Sequence, residues 1–470
     1  MQIIQTIEAT EDVLLLRAFE QEHEPENQQM FKAEKGEIWW FSSKELWLGL
    51  GKEPKTQSLI RIFRSLFFKR KDRWPKEIIL DTRNFPAEWI EAIVNGIVLG
   101  GYNLQLYKTE PQALSEFFGE NGTLSILTQE HSEKASVDAD LGLHTAVVQM
   151  RIMDLMNAPG NYKTPQILGK WAAESGEKYN YKVTVFEKEQ LEDMGMHALL
   201  SVSKGSDQPP VMIVSEYKPA VYHKTIALVG KGVTFDTGGI SIKASANMHL
   251  MKSDMGGAGA VLGVIELAAQ LGLPIRIIGV IPSTENCTDG SSTKPGDVIG
   301  SYSGKTIEVI DTDAEGRLIL ADGLNYAVRQ YSPDVVIDLA TLTGSIIQTL
   351  GYEAAGLFTN DDKLAADLIA AADHTGERLW RLPVWDEYKS EIASDIADVK
   401  NYHGKPLAGA IVAAKFLEVF IENHTSWAHL DIAGMAFGDI EFAPGRAGTA
   451  YGIRLLREYL TEIIKREEVN

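Results

Sequence analysis

The chain has 470 residues, 44% hydrophobic and 23% charged, the texture of a globular protein long enough for two or three domains. With 65 acidic against 45 basic residues its formal charge is −20, a surface that repels phosphate backbones and counts against nucleic-acid binding. The single cysteine, Cys287, excludes an intrachain disulfide and fits a reducing, cytoplasmic setting, while the absence of a basic leader or of about 18 consecutive apolar residues argues against a signal peptide or a membrane span.

Residues 1–142 read as a small α/β domain, with strands at Glu37–Phe41 and Glu77–Leu80 and a helix at Trp89–Leu99. They carry no catalytic signature, and the basic run Arg61–Lys76 reads as a solvated face. Residues 143–160 read as a connection: the apolar positions of His144–Asn157 have helical spacing, and Ala158-Pro159-Gly160-Asn161 stops the helix.

From 161 to 470 short β-branched runs alternate with helices. The strands are Tyr181–Phe186, Val211–Val214, Thr225–Val229, Ile275–Ile281, Ile307–Ile310 and Val335–Leu339. The helices include Pro165–Ser175, Gly256–Leu271, Glu315–Gln330, Lys363–Thr375 and Gly409–Glu422. This pattern predicts an α/β domain with a mixed, largely parallel sheet flanked by helices, and sites just beyond the carboxyl ends of its strands.

Two polar segments sit at such ends. Val229–Gly257, VGKGVTFDTGGISIKASANMHLMKSDMGG, holds Lys231, Asp236, Lys243 and Asp254 among glycines that let backbone approach a ligand. Asp311–Leu318, DTDAEGRL, places Asp313 near a helix cap and Glu315 in the first turn. If Asp236, Asp254, Asp313 and Glu315 converge, four carboxylates cannot all stay ionised in a poorly solvated pocket, and two divalent cations would resolve the conflict. Oxygen-rich sites suit Mg²⁺ and Mn²⁺, and Zn²⁺ or Co²⁺ if a nitrogen joins. A lysine there could ligate through its neutral amine or, charged, polarise a carbonyl. Taken singly, each segment reads equally as a helix cap or a set of turns, and spacing alone does not bring the two together.

At these residues the chain resembles the leucyl aminopeptidase family of metallopeptidases, the cytosol aminopeptidases. DTDAEGRL is similar to the family signature NTDAEGRL, with Asp311 in place of Asn. VGKGVTFDTGGISIK, MKSDMGGAGAV, PSTENCTDGSSTKPGDVI, LATLTG, SDIADVKNY and WAHLDIAGMA extend the likeness from about Asn157 to the C-terminus. The resemblance implies a catalytic metallopeptidase domain over 161–470. It implies Lys231, Asp236, Asp254, Asp313 and Glu315 as ligands of two divalent metal ions, Mn or Zn with Mg or Co possible. Asp236 and Glu315 would bridge, Lys231 and Asp254 would serve the more exchangeable ion, and Asp313 the other. Hydroxide between the ions would attack the first peptide carbonyl, Lys243 would polarise it, and Arg317 would hold a bicarbonate as general base. Met251, Thr341, Leu342, Thr343 and Gly344 would line the pocket for the first side chain. The implied substrates are peptides with leucine-like N-termini, and the implied assembly is a homo-hexamer.

Asp311 adds a charge two residues from a ligand and is expected to tune metal affinity without abolishing activity. Gly300–Thr306, GSYSGKT, is one residue short of a phosphate loop, and His429 reads as a satisfied structural histidine. Two other functions stay in view: a DNA-binding or scaffold role, against which the acidic charge weighs, and Cys-Gly dipeptidase specificity, on which the sequence is silent.

Overall fold

The computed structural model describes residues 1–23, 30–439, 442–443 and 445–469. Two compact units divide the chain, the first built on Met1–Met150 and the second starting at Arg151. The division falls inside helix α3 (Glu133–Asn157), which begins eleven residues before the apolar pattern at His144.

The first unit is a six-stranded sheet. Its strands are β1 (Gln2–Thr6), β2 (Leu14–Glu20), β3 (Ile38–Ser42), β4 (Glu45–Gly51), β5 (Glu77–Asp81) and β6 (Thr123–Leu127), ordered β1-β6-β5-β2-β4-β3. Helices α1 (Thr56–Lys69) and α2 (Trp89–Leu99) complete it. All pairs are parallel except β3–β4.

The second unit begins with α4 (Pro165–Tyr179). Thr164 caps it by accepting the Ile167 amide, Pro165 opens it, and Asn180 closes it in the left-handed region at φ +57°. Then follow β7 (Lys182–Phe186), α5 (Lys188–Met194), α6 (His197–Ser203), β8 (Val211–Tyr217), β9 (Thr225–Gly230), β10 (Gly232–Asp236), α7 (Gly256–Leu271) and β11 (Arg276–Asn286). After two short strands, β12 (Val298–Ile299) and β13 (Ile307–Glu308), come α8 (Glu315–Tyr331), β14 (Val335–Ala340), α9 (Gly344–Leu350), β15 (Ala355–Thr359), α10 (Asp362–Thr375) and β16 (Leu379–Arg381). The short β17 (Val399–Lys400), α11 (Gly409–Glu418), β18 (Trp427–Asp431), the hairpin β19 (Phe437–Asp439) and β20 (Arg446–Gly448), and α12 (Ile453–Val469) complete it.

The main sheet runs β16-β15-β18-β14-β9-β11-β8-β7, with β10 also on β11. Its centre is parallel (β18–β14, β14–β9, β9–β11), and its flanks turn antiparallel at β15–β18, β11–β8 and β8–β7. This is the mixed, largely parallel α/β sheet that the sequence predicts. Central strands covered on both faces read as continuous apolar runs, and every residue of β9 (TIALVG) and β14 (VVIDLA) is buried. Helix α7 closes one side; a Cβ at Gly257 would stand 1.9 Å from the Leu339 carbonyl, so only glycine lets the helix start so near β14.

One expected strand differs. Ile307–Ile310 pairs only over Ile307–Glu308, in a three-stranded sheet of β12, β13 and β17 apart from the main one. The Ile310 and Asp311 amides are instead taken by the Asn401 side chain, at 2.8 and 3.3 Å, which ends the ladder.

Candidate metal centre

The carboxyl ends of β9 and β14 lie side by side, and the chain leaving each carries polar groups inward. Lys231 follows β9, and its own backbone is clamped: its amide donates to the Leu339 carbonyl at 3.0 Å and its carbonyl accepts the Ala258 amide at 3.0 Å. Asp236 ends β10. Asp254 follows a 3-10 turn, Met248–Ser253, and Asp313 and Glu315 bring the octet to the same place. Helix α8 starts at Glu315, with Asp313 just outside it.

The four acids do converge. Asp236, Asp313 and Glu315 each offer a carboxylate oxygen within 4.8 Å of the others'. Lys231 Nζ lies 2.6 Å from Asp254 Oδ2, 2.9 Å from Glu315 Oε1 and 3.1 Å from the Thr341 carbonyl. Lys243 Nζ lies 2.8 Å from Asp236 Oδ2 and touches Asp313 Oδ1. Burial pushes the Asp254 carboxyl up to about 8, opposed by Lys231 and reinforced by Asp236 and Glu315. Burial likewise pushes Asp313 up to about 7, reinforced by Asp236 and Glu315, and raises Glu315. For both lysines burial favours the neutral amine, but the facing carboxylates outweigh it and hold them above the usual lysine value. Two ammonium groups cannot balance four carboxylates. Asp254 Oδ2 and Asp313 Oδ1, both buried, make no hydrogen bond of proper geometry. An oxygen-rich buried donor set with amines at its edge fits a pair of divalent cations.

Neighbouring groups fix these donors. Asp236 Oδ1 accepts the Gly238 amide at 2.9 Å and Asn286 Nδ2 at 2.8 Å, and the same Nδ2 donates to the Thr312 carbonyl at 3.0 Å. Asp254 Oδ1 accepts the Thr341 hydroxyl at 2.6 Å. Asp311 Oδ1 accepts the Asp313 amide at 2.9 Å, a task that an asparagine oxygen performs equally well. The exchange at 311 therefore alters charge and leaves the turn intact.

A cleft of about 510 Å³ opens over the centre. Lys231, Asp236, Lys243, Asp254, Asp313 and Glu315 lie along it, as do all five expected pocket residues, Met251, Thr341, Leu342, Thr343 and Gly344. Ile347, Tyr352, Ala433 and Phe437 add an apolar wall that the sequence reading did not name. Arg317 is not part of the lining. It lies buried, donating Nη1 to the Asn401 carbonyl at 2.6 Å, while its Nε has no acceptor among the described residues. Burial lowers its guanidinium to about 10, so it stays charged.

Asn286, Asn401 and Asp431 also escaped the sequence reading. Asn286 and Asn401 stand in polar stretches, PSTEN and DVKN, and Asp431 inside the strand WAHLD, and none of these patterns hints at partners far along the chain. In Gly300–Thr306 the Thr306 amide and hydroxyl both go to Asp398 Oδ2, and the Ser301 and Ser303 hydroxyls bond one another, so the loop forms no phosphate cradle. A larger cleft of about 900 Å³ borders α8 and α11, but most of its charges are paired, Arg329 with Glu422 and both Lys389 and Lys415 with Asp386.

The catalytic-domain model of the cytosol aminopeptidase family matches residues 151–457. A probable cytosol aminopeptidase of Chlorobium limicola is 45% identical over 430 residues, covering 88% of this chain and 85% of that one. One from Chlorobaculum tepidum is 47% identical over 395 residues, 83% and 77% of the two chains. Among solved structures, the bottromycin maturation enzyme BotP in complex with Mn superposes with a TM-score of 0.86 at 30% identity, over 96% of this chain and 99% of that chain. Likeness of this extent, in sequence and in fold, means that the chain belongs to the cytosol aminopeptidase family and is a metallo-aminopeptidase.

Proposed function

We propose that the enzyme removes single N-terminal residues, leucine-like ones preferred, from peptides, and that Lys231, Asp236, Asp254, Asp313 and Glu315 hold two divalent ions, Mn or Zn first among them. The observation that carries this reading is the convergence of four carboxylates and two lysines at the floor of one cleft. Asp236 and Glu315 would be the shared ligands, Lys231 and Asp254 would serve the more exchangeable ion, and Asp313 the other. When bound, such a pair supplies Lewis-acid activation of water and a seat for the substrate's neutral α-amine.

Lys243 is the electrophile. Its side chain is the more open of the two lysines, 23% exposed against 3% for Lys231, which suits it to meet a substrate carbonyl and stabilise the oxyanion that forms from it. Arg317, with its free Nε, is the residue that would hold bicarbonate, whose chemistry is that of a general base. Met251 and Thr341–Gly344, with Ile347, Tyr352, Ala433 and Phe437 along the same cleft, would receive an uncharged first side chain. Residues 1–142 form the N-terminal domain, 143–160 the connection and 161–470 the catalytic domain of a cytoplasmic homo-hexamer.

Leucine amide hydrolysis with Mn²⁺ added tests the reading. Turnover that is abolished by a chelator and restored by the metal is expected. Turnover that a chelator leaves untouched, or release of residues from the carboxyl end, would overturn it.

A further inference from the structure

A second group of buried charges lies in the same sheet and has no task in the reading above. Asp338 in β14 and His429 in β18 are register partners, both fully shielded from solvent. Asp338 Oδ1 lies 2.5 Å from His429 Nδ1, and its Oδ2 accepts the Trp427 indole N–H at 2.8 Å. Two residues along β18, hence on the same face of the sheet, stands Asp431, also fully shielded. Its Oδ1 accepts the Leu342 amide at 3.2 Å and the Ala433 amide at 3.3 Å, and its Oδ2 accepts the Thr343 hydroxyl at 2.6 Å.

Signs alternate through this group. Burial works to discharge His429, but Asp338 and then Asp431 outweigh it and hold the imidazole above its ordinary value, with Arg317 acting against them. Burial raises the Asp431 carboxyl, and His429 is the foremost influence lowering it. Arg317 in turn counts Asp431 among the anions that keep it charged. An ion in such surroundings is costly unless paired, and removing one member exposes its neighbour to the full penalty. The Nε2 of His429 has no hydrogen-bond partner among the described residues, so shape-filling is a poor account of a histidine at this position.

From Asp431 the contacts reach the centre in two steps. The loop it grips contains Thr341, whose hydroxyl donates to Asp254 Oδ1 at 2.6 Å and whose carbonyl accepts from Lys231 Nζ at 3.1 Å.

We propose that His429 is a positioning residue of the metal centre: its bond to Asp338 pins β18 to β14 just ahead of the loop that begins at Thr341, so that Asp431 can grip Leu342 and Thr343 and the loop can set Asp254 and Lys231. The inference rests on the assignment of Asp254 and Lys231 as metal ligands.

Calorimetric Mn²⁺ titration tests it on four proteins, each shown to be folded at the working temperature: the parent, His429→Gln, Thr341→Val and the double variant. The parent should bind two Mn²⁺. Each single change should weaken the looser ion about tenfold, and the double change by clearly less than the product, because both act through one loop. His429→Gln binding like the parent, or losses that multiply in the double variant, would overturn the proposal. A parent that binds no Mn²⁺ overturns the ligand assignment itself, and the two failures are thereby distinguished. Should His429→Gln not fold, Asp431→Asn replaces it in the same cycle; it keeps an oxygen for the two amides and removes the charge, and the same criteria decide.

Discussion

Lys231 and Asp254 meet at 2.6 Å, Nζ to Oδ2, although they come from different segments and neither side chain is as much as a tenth exposed. The contact is an ion pair without hydrogen-bond geometry. A buried lysine and carboxylate this close suit two donors that share a third, positively charged neighbour.

The acids of the centre make stability depend on pH in a definite sense. Burial holds Asp254 at about 8 and Asp313 at about 7, both above their unfolded value near 4. The folded, chelated protein therefore binds more protons than the unfolded chain between pH 4 and 8, so their contribution is full below pH 4 and lost as pH rises through 7 to 8. Melting temperatures with chelator and with saturating Mn²⁺ should diverge as pH rises from 5 to 8. A gap of constant size would show that these acids do not take up protons when the metal is removed.

Lys243→Ala should leave both ions bound and lower kcat by about 10²–10³-fold, the usual cost of a lost oxyanion donor. Steady-state kinetics together with elemental analysis read the two quantities separately. Loss of metal in this variant would make Lys243 a structural counter-charge instead.

Asp254→Ala should do the reverse. Metal content should fall towards one ion per subunit, and the Thr341 hydroxyl loses its acceptor at 2.6 Å. Excess Mn²⁺ should restore part of the activity. Full occupancy at stoichiometric metal would remove Asp254 from the ligand set.

At position 311 only the oxygen is used. Asp311→Asn should change stability by less than about 0.5 kcal/mol, whereas Asp311→Ala, which abandons the Asp313 amide, should cost about 1 kcal/mol. Equal effects of the two substitutions in denaturant melts would show that charge, and not the turn, is what matters there.

Gly316→Ala concerns space. A Cβ there would stand 2.5 Å from Lys231 Cε and 2.8 Å from Nζ, so the lysine would have to leave its present position. Metal affinity should drop by about tenfold or more, and the better helix propensity of alanine should offset only part of the stability lost when a buried, paired lysine is displaced. Unchanged Mn²⁺ binding would mean that Lys231 is not needed where it stands.

The fold was legible wherever burial writes a continuous apolar run, as in β9, β14 and the long helices of the second unit. It was less legible at β15 and β18, where GLFT and WAHLD carry glycine, histidine and aspartate inside a sheet, and in the first unit, whose short strands lack strong turn signals. The residues of the centre could be named because glycines and acids crowd two strand ends. Their partners could not: the Asn286 and Asn401 side-chain amides donate across 26 and 90 residues of chain, to a backbone carbonyl in each case, and sequence spacing carries no trace of such contacts. His429 was expected to be structural and satisfied. Asp338 satisfies only one of its nitrogens.

The cleft divides its labour between separate stretches of polypeptide. Lys231 is locked by main-chain bonds to β14 and to the start of α7, whereas Ile347 and Tyr352 hang from α9 and the turn after it. An inheritable change on that outer piece can reshape which residue is accepted without disturbing the ion-holding floor. One ancestral scaffold can thereby diversify its diet while its chemistry stays fixed.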